Sequence, residues 1–255
     1  MRRALPALLR ALAAICSAML AFPAEAQTAS VPPGNPCLKN NGNPCNGNNG
    51  NNGGQGSANK ERTRIDRKPP PIAMTMPAVH GRGAYVKQIG DGSTATIVQT
   101  APNAYALVVQ EGGPGNEADV SETGSGSAYA AIEQSGSTQF ARAQQDGTGQ
   151  NALWVTQGGT DNWLWSRQQS SGGGFNGAQL SQLGNGNDML LLQSGSDNRA
   201  LLSQQGDNNG MTATQAGDGN RLAWTQQGSN LSDLLVVQSG GTAQGGQLLI
   251  TQTNR

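Results

Sequence analysis

Large apolar and charged side chains are both scarce in this chain. Aromatic residues fill 4 % of its 255 positions and charged residues 13 %, with no net charge. The first shortage excludes a thick conventional core, and the second excludes a solvated, self-repelling coil. Histidine occurs once, at His80, and acids such as Glu117, Asp119 and Glu133 are scattered rather than clustered. A β-helix that cleaves polysaccharide needs carboxylates gathered on one face, so an enzyme is not expected and no catalytic, cofactor or metal residue is assigned. The basic residues lack interleaved aromatics, which argues against nucleic-acid binding. Only the first residues carry a long apolar run, so no membrane span is expected in the mature chain. What the chain has instead is 37 glycines in a polar, self-similar pattern, which leaves either disorder or a thin-cored solenoid.

The N-terminal quarter reads as export and spacer. "MRRALPALLRALAAICSAMLAFPAEA", residues 1–26, has a basic start, a short apolar run and small residues at Ala24 and Ala26, the pattern of a signal peptide cleaved before Gln27. Cys16 lies inside it, and Ile15 is too large for a lipoprotein cleavage site. An exported chain keeps Cys37 and Cys45 in an oxidising place, which makes them candidates for a short-loop disulfide, with their pairing open, rather than for a metal site. Residues 27–83 combine an Asn/Gly tract with "KERTRIDRKPPP" and are expected to be a disordered, extended spacer.

From 84 to 255 a glutamine returns mostly every 11 or 12 residues, with two gaps of 14. The anchors are Gln88, Gln99, Gln110, Gln134, Gln145, Gln157, Gln168, Gln182, Gln193, Gln204, Gln215, Gln226, Gln238 and Gln252, with Glu122 taking one place. Two and four residues before each anchor stands an apolar residue, Ser166 excepted. Six before, Asn151, Asn162, Asn176, Asn187, Asn198, Asn209 and Asn220 form an unbroken run. These positions share one face only at the period of a β-strand. The step from the Asn position to Gln never changes, so every insertion, such as "QQSSGGGFN", falls between strands. Glycine follows nearly every anchor by two residues, which suits a turn of positive φ.

The expected fold is therefore all-β: a two-sheet parallel β-solenoid of strand–turn–strand–turn coils about 22 residues long. Fifteen strands make seven and a half coils, a stack of roughly 35 Å at about 4.8 Å per coil. Stacked amides can bond up and down such a cross-β ladder. Left unpaired, each would cost about 1–3 kcal/mol. The coils from Asn151 to Gln226 are expected to be the most stable, because Ser93, Ala104, Glu122 and Ala128 weaken the ladder elsewhere. In the turns, Asp91, Asp146, Asp161, Asp197, Asp207 and Asp218 either stack like charges that slow assembly or simply suit Gly-rich turns. Trp154, Trp163 and Trp165 point outward, towards polysaccharide or one another.

The segment "QSGSDNRALLSQ", Gln193 to Gln204, nearly reproduces the pattern Gln-x-Gly-x-x-Asn-x-Ala-x-x-x-Gln. "QGGTDNWLWSRQ", "QLGNGNDMLLLQ", "QQGDNNGMTATQ" and "QAGDGNRLAWTQ" are close versions. In these residues the chain resembles the curlin family of secreted amyloid-fibre subunits, over about Ala84 to Arg255. That resemblance implies self-assembly into extracellular curli-like fibres at the bacterial cell surface, serving adhesion and biofilm matrix. It also implies two partners: a nucleator or sister curlin, and an outer-membrane secretion channel engaged by the Asn/Gly segment. The last strand, in "GGQLLITQTNR", is followed by no cap, so an unpaired C-terminal edge is expected, open to head-to-tail addition. The alternative is a monomeric β-solenoid surface adhesin or carbohydrate-binding protein, although outward threonine is too patchy for a regular binding array.

Overall fold

The computed structural model describes residues 61–66, 72–241 and 246–254. The signal-peptide segment, the Asn/Gly tract and both candidate disulfide cysteines lie outside the described residues. Sixteen strands and no helix occur among the described residues. In chain order they begin with β1 (Arg62–Asp66), β2 (Arg82–Ile89), β3 (Thr94–Gln99), β4 (Asn103–Glu111) and β5 (Glu117–Glu122). There follow β6 (Ser127–Ser137), β7 (Phe140–Gly147), β8 (Gln150–Thr160), β9 (Trp163–Ser170), β10 (Phe175–Asn185) and β11 (Asp188–Gly195). The last are β12 (Arg199–Gln205), β13 (Gly210–Asp218), β14 (Arg221–Gln227), β15 (Leu234–Gly241) and β16 (Gln247–Thr253).

From β2 onward the even strands stack in one sheet and the odd strands in the other, so fifteen strands build a two-sheet parallel solenoid of seven and a half coils. Register follows the anchors: Gln182 pairs with Gln157 on one side and Gln204 on the other, and Gln193 with Gln168 and Gln215. A slip of one residue would turn every apolar side chain outward, and this holds the pairing. The core between the sheets is one continuous cluster running from Ala106 and Val108 through Leu153, Leu180 and Leu202 to Trp224 and Ile250. Leu180 is fully buried, so its truncation to alanine would cost about 2–5 kcal/mol. The turns require glycine because of crowding between coils as well as φ. At Gly206 (φ 117°) an added Cβ would sit 2.1 Å from the carbonyl oxygen of Gly228 in the next coil.

Two parts of the expected spacer are packed on the solenoid rather than disordered. Residues 62–66 form β1, which pairs antiparallel with β16 and extends the nine-stranded sheet beyond the solenoid, with Thr63 opposite Gln252 and Ile65 opposite Ile250. The C-terminal edge of that sheet is therefore covered, contrary to the open edge expected from the last strand. Residues 72–80 form no strand, yet Met74, Met76 and Val79 pack on Tyr85, Tyr105, Leu107, Val109, Tyr129 and Trp154 on the sheet's outer face. Burial explains both: the outward residues of β4 and β6 are apolar and need a cover, and the β16 edge needs a partner.

The tryptophans divide between sheets, with Trp154 tilted on Tyr129 (5.5 Å) in one and Trp163 stacked on Phe140 (6.1 Å) in the other. Among the turn aspartates, Asp207 accepts from Asn185 N and Asp218 from Ser196 N, backbone donors one coil away, each at 2.8 Å. Asp146 instead accepts from its neighbour Gly147 N in the same turn.

Candidate functional site

In the nine-stranded sheet, one glutamine column runs unbroken. Each side-chain Nε2 donates to Oε1 of the next coil: Gln88 to Gln110, then Gln134, Gln157, Gln182, Gln204, Gln226 and Gln252, at 2.8–3.0 Å. The second amide hydrogen crosses to a main-chain carbonyl at the start of a strand in the facing sheet, as from Gln110 to Thr94 O (3.0 Å) and Gln226 to Gly210 O (2.9 Å). A side chain here must give two hydrogens and take one, and glutamine has both the groups and the reach. Near the end of the column Gln252 Oε1 also accepts from Trp224 Nε1 (2.8 Å).

The column in the seven-stranded sheet is broken once. Gln145, Gln168, Gln193, Gln215 and Gln238 are linked at 2.7–2.8 Å. Gln99 donates to Glu122 Oε2 (2.7 Å), but the carboxylate has nothing to pass on. Glu122 Oε1 and Gln145 Oε1, on paired residues of neighbouring strands, are both buried without a partner. Burial pushes the Glu122 carboxyl up from 4.5 to about 7, against the opposing hydrogen bond from Gln99.

The asparagines form two columns of opposite polarity to the glutamines. Asn187 Nδ2 donates back to Asn162 Oδ1, and Asn209 to Asn187, both at 3.1 Å. In the other column Asn198 donates back to Asn176 (3.2 Å) and Asn220 to Asn198 (3.0 Å). Asn151 stands apart: its Nδ2 bonds Asp146 O (2.8 Å) while its buried Oδ1 has no partner. Two further amides do column work without being singled out from sequence. Gln139 N donates to Asn116 Oδ1 (3.2 Å) and Gln139 Nε2 to Gly159 O (2.9 Å). Both sit six residues before an anchor, the signal that identifies them.

The glutamine columns give the stack a direction. At the N-terminal end β2 and β3 are edge strands, Val86 is 42 % exposed, and the Oε1 atoms of Gln88 and Gln99 face away from the stack. At the C-terminal end Gln238 Nε2 turns to Arg221 O (3.1 Å) and Gly246 O (3.0 Å), with no further rung among the described residues. Gln252 Nε2 meets Glu61 Oε1 at 3.0 Å, and the same carboxylate binds Ser232 N (3.0 Å) and Ser232 Oγ (2.6 Å). Glu61, just ahead of β1, was not a sequence candidate. Its partner lies 191 residues away. Among the described residues no group of His, Cys, Asp or Glu is placed to hold a metal ion, and no helix is long and apolar enough to cross a membrane.

Residues 175–206, spanning the whole of β10, β11 and β12, match the family model of the curlin associated repeat. The matched stretch is one and a half coils, and the same anchors, turns and columns recur in the coils on both sides of it. A curlin-type repeat stacked as a solenoid is the build of a structural subunit rather than of an enzyme. No curated protein and no solved structure matches the chain.

Proposed function

We propose that the chain is a curli-type subunit that assembles head to tail into extracellular amyloid fibres, serving surface adhesion and biofilm matrix. The observation that carries this is the one-way glutamine column, in a stack whose internal strand pairings are all parallel and in register. Acceptors face outward at the N-terminal edge, and at the C-terminal edge the amides of Gln238 and Gln252 turn to carbonyls and to Glu61 instead of to another glutamine. Two such ends are complementary, and contact between them does not close, so addition continues. Export through an outer-membrane channel, and nucleation by a sister subunit, belong to the same reading. The rival reading, a monomeric surface solenoid, draws support from β1, which covers one edge. Incubating the purified chain from Gln27 separates them. The fibre reading expects filaments that bind thioflavin and diffract at about 4.8 Å along the axis. A soluble particle that persists at high concentration refutes it.

A further inference from the structure

The solenoid has an odd number of strands, so its two sheets end at different heights. The nine-stranded sheet reaches β16 and is then covered by β1, whereas the seven-stranded sheet stops one strand earlier, at β15. A second copy stacked without rotation would place its β2 on β16. Its β3 would then lie one strand spacing too far from β15 to pair. A copy turned by half a revolution about the stack axis meets both edges. Rotation exchanges the sheets and reverses their strand directions together, so β2 falls beside β15 and β3 beside β16, all parallel. The register set by the anchors then aligns Val86 with Val236 and Gln88 with Gln238 on one side. On the other it aligns Ile97 with Ile250 and Gln99 with Gln252. Gln238 and Gln252 would donate to the outward Oε1 atoms of Gln88 and Gln99, and the columns would run on.

The second of those places is occupied. β1 lies where β3 of the second copy would lie, and Glu61 Oε1 takes the hydrogen that Gln99 Oε1 would take. The occupant is a poor match for the place. It is five residues long and antiparallel, Ile65 remains 53 % exposed, and a carboxylate accepts without donating onward. An antiparallel strand ending in an acceptor stops a parallel donor-directed column. It satisfies the β16 edge but cannot extend it.

We propose that β1 and Glu61 are an internal placeholder for β3 and Gln99 of a second copy, which displaces them and docks after a half-turn, pairing its β2 with β15. This rests on the self-assembly reading and adds the geometry of the junction and the contact that holds it closed. Cysteine pairs placed in a chain from Gln27 with Cys37→Ser and Cys45→Ser test both parts. Arg64→Cys with Thr251→Cys joins register partners of β1 and β16. Oxidised, this chain is expected to lose fibre growth, and reduced, to regain it. Equal growth in both states overturns the placeholder. If neither state nor the cysteine-free parent assembles, the fibre reading itself fails, and this inference with it. Val98→Cys with Thr251→Cys is expected to cross-link neighbouring copies within fibres, because the half-turn brings β3 beside β16. Lys87→Cys with Thr251→Cys would cross-link only in the unrotated stack, and finding that pair joined instead overturns the half-turn.

Discussion

Glu122 is the one rung of the glutamine columns that carries a carboxyl, and replacing it with glutamine isolates what a rung contributes. The side chain is fully buried between inward neighbours that carry no charge: Ile97 and Gln99 on β3, Ala143 and Gln145 on β7, and Val108, Ala130 and Ile132 on the facing sheet. The nearest charged groups on these strands point outward, with Asp119 and Arg142 paired at 2.8 Å on one sheet, and Lys87, Glu111 and Glu133 on the other. Burial therefore raises the carboxyl from 4.5 to about 7. Between those values the folded chain holds a proton that the unfolded chain has released, so stability falls as pH rises. The contribution is complete below about 4.5 and gone above about 7, a loss of about 3 kcal/mol. Protonation also has a geometric outlet, since Glu122 Oε1 and Gln145 Oε1 are the two unpaired atoms on adjacent rungs and a hydroxyl on the first can donate to the second.

Glu122→Gln is expected to remove that dependence by supplying a donor at every pH. Urea unfolding of freshly desalted chain, followed by circular dichroism from pH 5 to pH 8, measures it. The two proteins should converge at the acid end, and the variant should lead by about 3 kcal/mol at pH 8. Glu133 and Asp188 are also raised by burial, but they are common to both proteins and cancel in the difference. Parallel curves, with the gap constant across that range, would refute the assignment of the pH effect to this rung.

Ser166 interrupts the apolar column, fully buried with its hydroxyl unpaired. Ser166→Ala is expected to stabilise the chain by about 1 kcal/mol in the same urea assay, and a loss of stability would count against an orphaned hydroxyl. Gln182→Leu strands a donor on Gln157 and an acceptor on Gln204, so it should cost about 2–4 kcal/mol, whereas the exposed Gln205→Leu should stay within about 0.5 kcal/mol. Equal costs would mean that the column does not bear on stability. Hydrogen exchange should protect the coils from Asn151 to Gln226 most strongly and the coil of β2 and β3 least, where the inward residues are exposed on β2 and half-buried on β3. Uniform protection would contradict a stack whose stability follows its columns.

The solenoid was legible because its rule is local and repeated. Each strand announces its inward face through apolar residues two and four places before an anchor, and each turn through glycine two places after it. The same regularity reveals the columns, since any residue stacks on its counterpart one coil away. β1 follows no such rule. Thr63 and Ile65 alternate with charges as a strand would, but "RTRID" holds no anchor and its partner β16 is far along the chain. Proline and charge around it read as spacer, and only the edge it meets explains it. The packed segment around Met74 and Met76 was hidden for a related reason. Its trace lies on β4 rather than on the segment, where Tyr105, Leu107 and Val109 are apolar on a face the repeat assigns to solvent.

The two kinds of amide column finish differently, and this bears on what each one does in the proposed fibre. Both asparagine columns close inside the chain. Asn209 Oδ1 accepts from Leu231 N (3.0 Å) and Asn220 Oδ1 from Gly246 N (3.1 Å), backbone donors supplied by the last turns. The glutamine columns end differently: Gln238 turns its amide to the carbonyls of Arg221 and Gly246 with no further glutamine beyond it among the described residues, and Gln252 meets the Glu61 carboxylate. Asparagine thus fastens turn to turn within a subunit, while glutamine leaves acceptors at one edge and, at the other, amide donors held by carbonyls and a carboxylate in place of a further glutamine. Two N-terminal edges brought together would set acceptor against acceptor with strands misaligned, and two C-terminal edges donor against donor. Only opposite ends match, so the polarity of a single side chain, repeated along the stack, is enough to give the fibre its direction.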